Sequence, residues 1–284
     1  MSDTATLTHR KVVWTGAGMP ATDGAGVRLN RVIGQPALPD LDPFLMLDEF
    51  GSDDPKAYIA GFPEHPHRGF ETVTYMLAGR MRHRDSAGNE GLLGPGSVQW
   101  MTAGRGIVHS EMPEQEEGLM QGFQLWVNLP AKDKMTAPRY QDIAADRVPS
   151  VDLGGGASAK VLAGVLAGAR GPVDPGATEP VYLDIALEPG ATADIPLPAG
   201  HNAFAYVYEG RAAIGEPREA VGRGRIAVLS PGETVRLAAG SDGARLILVA
   251  GKPLREPVAK YGPFVMNTEA ELVQAFEDYR SGRF

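Results

Sequence analysis

Short stretches of alternating apolar and polar residues run along this chain, and glycine or proline closes most of them. Residues 71–77 are β-branched and aromatic and stop at Ala78-Gly79, which predicts a strand ending in a turn. Residues 97–102 lie between Gly94-Pro95-Gly96 and Ala103-Gly104-Arg105-Gly106; glycine at that density marks tight corners. Residues 123–129 follow a period of two, the mark of another strand. The final segment changes period. Thr268-Glu269-Ala270-Glu271 reads as a capping box, and Leu272, Phe276 and Tyr279 follow at helical spacing. Gly282 stands where such a helix would stop. The pattern predicts an all-β protein of antiparallel strands with one C-terminal helix.

The pattern also repeats. Residues 74–80 resemble residues 205–211, and Pro95-Gly96 followed by Ala103-Gly104 recurs as Pro231-Gly232 followed by Ala239-Gly240 at the same spacing. Between the copies, residues 132–139 are polar, and Gly154-Gly155-Gly156 signals a loop or hairpin. The expected domains are therefore 1–145 and 146–284, the second carrying the terminal helix.

Two clusters bring in chemistry: His65-Pro66-His67 and His109-Ser110-Glu111. In an extended strand, residues i and i+2 point to one face. One His-x-His alone would be read as a surface pair beside charged neighbours. Two matched pairs in strand-like contexts instead predict three imidazoles and one carboxylate converging on a point. That donor set suits Fe, Mn, Co, Ni, Cu or Zn, so one divalent metal is expected. Aligning the halves on Gly79 and Gly210 sets Pro196 and Pro198 against His65 and His67. Aligning on Gly104 and Gly240 sets Arg245 and Ile247 against His109 and Glu111. The first half is thus expected to hold the metal and the second to be metal-free. His9 and His83 have no partner at ligand spacing and are expected at the surface.

Composition narrows the class further. The length of 284 residues suffices for two domains, and a 43% hydrophobic fraction is that of a globular protein. The 36 glycines and 23 prolines, spread without a period, suit a turn-rich β protein. Cysteine is absent, which excludes disulfides, thiolate ligands and a cysteine nucleophile. This fits a reducing, cytoplasmic setting. Residues 1–6 lack a basic region and an apolar core, so no signal peptide is expected. No apolar run reaches the ~18 residues of a membrane span. A net charge of −8 argues against a direct nucleic-acid partner. The basic run at residues 80–84 is expected to be a solvated hairpin. No GxSxG, P-loop or GxGxxG offers a rival chemistry.

Residues 65–75 together with 99–112 resemble the pirin family, a branch of the cupins. Residues 42–50 and the late segments 253–258 and 262–268 resemble the same family, so the likeness covers nearly the whole chain. It implies a bicupin: two antiparallel β-barrels packed together, with iron in the N-terminal one. It implies ligands at His65, His67, His109 and Glu111, the four residues already found by strand parity. Glu71, a ligand in many cupins, is left as a residue that could orient a histidine. Two activities are implied by the resemblance. One is quercetin 2,3-dioxygenase, which opens a flavonol ring with dioxygen and releases carbon monoxide; Glu111 is then the expected base for the 3-hydroxyl proton. The other is an iron-containing regulator that binds a transcription factor or a metabolic enzyme as protein partner.

Overall fold

The β-branched and aromatic runs form strands almost where their pattern places them. The computed structural model describes residues 7–284 apart from Pro175. Residues 1–6, read above for a leader, lie outside the described residues. Residues 71–77 fall within the strand Phe70–Ala78, residues 97–102 within Val98–Thr102 and the loop before it, and residues 123–129 mostly within Met120–Asn128. Pairing is antiparallel throughout these sheets, so neighbouring strands can be joined by short turns.

The chain divides into two compact units, each built from discontinuous segments. One consists of residues 19–147 with Leu254–Phe284; the other joins residues up to Gly18 with Val148–Pro253. The terminal helix, expected with the second half, belongs instead to the first. Its reason is local packing: Leu272 and Ala275 bury against Phe264 and Met266, and Phe264 sits in a bridge with Arg68. The helix Glu269–Arg280 has the expected capping box, with Thr268 accepting from the Glu271 N–H and Glu271 accepting from the Thr268 N–H.

In the unit of residues 19–147 and 254–284, a seven-stranded sheet carries, in order, Arg139–Ile143, Val98–Thr102, Phe70–Ala78, Met120–Asn128, Phe44–Ser52, Val27–Ile33 and Met19–Asp23. A four-stranded sheet orders Phe62–His67, Ile107–Pro113, Met81–Asp85 and Glu90–Leu93. The other unit has a main sheet with the corresponding path, from Val12–Ala17 through Arg225–Leu229, Asn202–Ile214, Thr234–Gly251, Val181–Leu187 and Ala157–Ala163 to Ser150–Gly154, and a two-stranded sheet of Val165–Leu166 and Ala169–Arg170. Its core is aliphatic, with Leu183, Ile185, Val207, Leu237 and Leu246 fully buried.

The strand Thr234–Gly251 overturns one detail of the repeat. Where the first half uses two strands, Ile107–Pro113 and Met120–Asn128, the second runs straight through Gly240. Thr234 pairs with Pro196, the counterpart of His65, whereas Arg245 and Ile247 pair with Ala186 and Asp184 on another strand. Thr234, not Arg245, therefore occupies the place of His109.

Candidate metal centre

The strands Phe62–His67 and Ile107–Pro113 are antiparallel neighbours, with His109 directly opposite His65 and Ile107 opposite His67. This register does what strand parity predicted: it puts His65, His67 and His109 on one face. Their ligand atoms lie within 4.8 Å of one another, and no other such group of donors occurs among the described residues. Ring centroids are 4.4 Å apart for His65 and His109, 4.7 Å for His65 and His67, and 5.0 Å for His67 and His109.

The tautomers follow from the surroundings. His65 Nδ1 lies 2.8 Å from the Pro63 carbonyl, which can only accept, so Nδ1 carries the proton and Nε2 presents a lone pair. His65 Nε2 and His67 Nε2 are 3.1 Å apart. Two nitrogens bound about 2.1 Å from one ion at a right angle would stand about 3.0 Å apart, so this spacing fits a shared ion. Both ring nitrogens of His109 are buried without a hydrogen-bond partner. Burial pushes His109 down to about 4, against the opposing charge of Glu111. Burial, then the neighbouring His109 and His65, pushes His67 well below its usual value. Burial thus disfavours the charged forms of His67 and His109, and converging imidazoles with free lone pairs are the form a metal takes up.

Glu111 is fully buried but is not a member of the three-histidine cluster. A bulge falls between His109 and Glu111 on the side facing Phe62–His67, so Glu111 lies opposite Phe62. Its carboxylate reaches toward the seven-stranded sheet. There it accepts from Thr74 Oγ1 at 3.1 Å and from Gln124 Nε2 at 3.0 and 3.2 Å. Glu71 is also buried and outside the cluster; Thr102 Oγ1 donates to it at 2.6 Å.

Cross-strand partners share a face, and following them across the seven-stranded sheet gives a row of polar side chains. The row runs Arg31, Asp48, Gln124, Thr74, Gln99 and Asp142, one from each of six strands. Asp48, Thr74 and Gln99 are buried. Arg31 makes a paired contact with Asp48 at 2.8 and 2.9 Å, and Gln99 donates to Asp142 at 3.0 Å. His83, expected at the surface, joins the far end of this row. It is buried, lies opposite Glu111 in the ladder, stacks on Tyr140 and meets Asp142 at 3.1 Å. The basic run around it turns one face outward: Arg82 pairs with Glu114 and Glu90, and Arg84 with Glu90. Gly91, opposite His83, leaves the space its imidazole occupies; a Cβ there would collide with His83 Nε2.

A cavity of about 770 Å³ opens onto His65 and His67. Met46, Phe50, Phe62, Trp126 and Tyr261 give it apolar and aromatic walls, and Arg31, Asp48, Gln124 and Lys260 supply polar groups. Its size and mixed lining are those of a small-molecule site. Residues 260–263 of the late segment form part of the wall.

Two β units, one enclosing a three-imidazole cluster beside a small-molecule cavity, define a bicupin with a candidate metal centre. Residues 26–127 match the Pirin family model, and residues 182–284 match the Pirin C-terminal cupin domain. The chain belongs to the pirin family. A relative from Pseudomonas aeruginosa, named for a proposed quercetin 2,3-dioxygenase activity, is 53% identical over 280 residues, covering 96% of this chain and 98% of that one. A pirin-like protein of Caulobacter vibrioides is 52% identical over 268 residues, covering 94% and 96%. The crystal structure of a quercetin 2,3-dioxygenase from Acinetobacter baumannii superposes with a TM-score of 0.89 at 33% identity, covering 97% of this chain and 98% of that one.

Proposed function

We propose that this chain is a metal-dependent dioxygenase of flavonols such as quercetin, with His65, His67, His109 and Glu111 holding one divalent ion, most simply Fe(II). The observation that carries the reading is the convergence of three imidazoles, two of which, His65 and His67, line a cavity of about 770 Å³ with aromatic walls. The likeness to the quercetin 2,3-dioxygenase from Acinetobacter baumannii supports it. A bound ion would supply Lewis acidity and open positions for small ligands.

The chain's own groups do the rest. Phe62, Trp126 and Tyr261 offer flat apolar surface to a planar ring system. Apolar walls exclude water from the reacting carbons. Glu111, the one carboxylate of the ligand set, takes the proton of the 3-hydroxyl. Thr74 and Gln124 hold that carboxylate in place while it does so. The overall change consumes one dioxygen per flavonol: both of its atoms enter the opened product, at C2 and C4, and C3 leaves as carbon monoxide with its own hydroxyl oxygen.

The test is oxygen uptake and carbon monoxide release by iron-loaded protein given quercetin. Turnover is expected, with Glu111→Gln slower by about 10²–10⁴, the usual worth of a general base. Iron-loaded parent protein that consumes no oxygen would overturn the enzyme reading.

A further inference from the structure

The Glu111 carboxylate is aimed by a chain of groups that starts at an indole. Trp126 Nε1–H donates to Gln124 Oε1 at 3.3 Å. Gln124 Nε2 donates to both Glu111 oxygens. Thr74, directly across the ladder from Gln124, donates its hydroxyl to the same carboxylate.

A glutamine amide has an acceptor end and a donor end of nearly equal shape. An indole nitrogen only donates, so it admits only the acceptor end. The donor end is then turned toward Glu111. Trp126 settles which way the amide lies without touching the carboxylate. The indole itself is packed against Phe70 at 4.3 Å and against His67 at 5.2 Å, measured between ring centroids. Gln124 and Trp126 are two apart on the strand Met120–Asn128 and therefore share a face. The site thus has a third i, i+2 pair, on a third strand, beside His65/His67 and His109/Glu111.

We infer that Gln124 is the positioning residue for the Glu111 carboxylate, and that Trp126 acts on the metal centre through Gln124. The inference rests on the reading of Glu111 as a ligand. It adds two residues to the centre that are neither metal-binding nor acid–base groups. It also assigns the seven-stranded sheet the task of orienting a side chain that the four-stranded sheet carries.

The experiment measures nickel(II) affinity by competition with a chelator, using metal-stripped full-length protein and four variants. Gln124→Met, of similar size but without a strong donor, is expected to bind nickel about 10–100-fold more weakly, the usual loss when a ligand's hydrogen-bond partner is removed. Trp126→Phe keeps an aromatic ring and loses the N–H; about fivefold weaker binding is expected, the worth of one hydrogen bond. The double variant is expected to bind no more weakly than Gln124→Met alone, because the indole then has no amide left to orient. Losses that multiply in the double variant would overturn the relay, and so would nickel affinity unchanged by Gln124→Met. Thermal unfolding of each metal-free variant reports folding separately. Should Gln124→Met prove too unstable to purify, Gln124→Leu also removes the donor without adding charge, with the same loss expected. Glu111→Gln separates the two readings: unchanged affinity in that variant would refute Glu111 as a ligand, independently of what the Gln124 variants do.

Discussion

His109 and His65 stand directly opposite each other on adjacent antiparallel strands, with ring centroids 4.4 Å apart. Neither ring nitrogen of His109 has a hydrogen-bond partner, and His65 turns its lone pair into the same space. Removing both imidazoles leaves His67 with no neighbouring nitrogen donor. We expect the His65→Ala, His109→Ala double variant to lose metal affinity by at least about 100-fold. Elemental analysis after purification checks this; full occupancy in that variant would refute the centre.

Acid should destabilise the metal-free protein. Burial lowers His109 to about 4 from the usual 6.5 and moves His67 the same way. Between those pH values the unfolded chain takes up protons that the folded chain refuses. Stability therefore rises with pH across this window and falls on acidification from about pH 6.5 toward about 4. His109 alone accounts for up to about 3 kcal/mol. Urea midpoints of chelator-treated protein at pH 7.5 and pH 5 measure it, and a flat profile would contradict the burial argument.

Lys134 falls in a stretch that looks polar and solvent-facing, yet it is buried, and its ammonium donates to the Gly69 and Val265 carbonyls and to Asn128 Oδ1 at 2.7–3.0 Å. Burial lowers it to about 8. The three acceptors come from the turn after His67, the end of strand Met120–Asn128 and the late segment. Lys134→Met leaves them without their donor and should cost about 3 kcal/mol, the order expected for charged hydrogen bonds lost in the interior. Denaturant unfolding reads the loss, and a change under about 0.5 kcal/mol would show the ammonium to be dispensable.

Gly69 has φ +89°, and a Cβ there would strike the Val265 carbonyl oxygen and crowd Met266 Sδ. Gly69→Ala faces both backbone strain and a backbone collision. We expect at least about 2 kcal/mol of destabilisation together with weaker metal binding, because the turn that carries His67 must shift. Parent-like unfolding and parent-like nickel affinity in this variant would show that the late segment yields freely.

The strands, the terminal helix and the three histidines were legible because each depends on a local rule. Parity alone brings His65 and His67 to one face, and a capping box needs only residues 268–271. Gln124, Thr74 and Asp48 were not legible. Each sits in a strand where an isolated polar residue reads as facing water, and only the register across six strands shows them in one interior row. His83 was missed for the same reason: its partner Asp142 is 59 residues away. The mapping of Arg245 onto His109 failed because glycine spacing cannot tell a turn from a strand running on through Gly240. Alternation of small polar residues with aromatics, as in Thr72, Thr74, Gln124 and Trp126, was the signal available for the polar row.

The exchange of terminal segments gives the order of synthesis a chemical meaning. A ribosome finishes the aliphatic second unit, through Pro253, before it makes Lys260, Tyr261, Gly262 and Pro263, which wall the cavity beside His65 and His67. Val265, which accepts from Lys134 behind the His67 turn, arrives later still. A chain stopped at Pro253 carries all three histidines and lacks one side of their pocket. The metal centre encoded in the first half is therefore completed by the last 31 residues of the chain, Leu254–Phe284, and a premature stop there damages the beginning of the protein rather than its end.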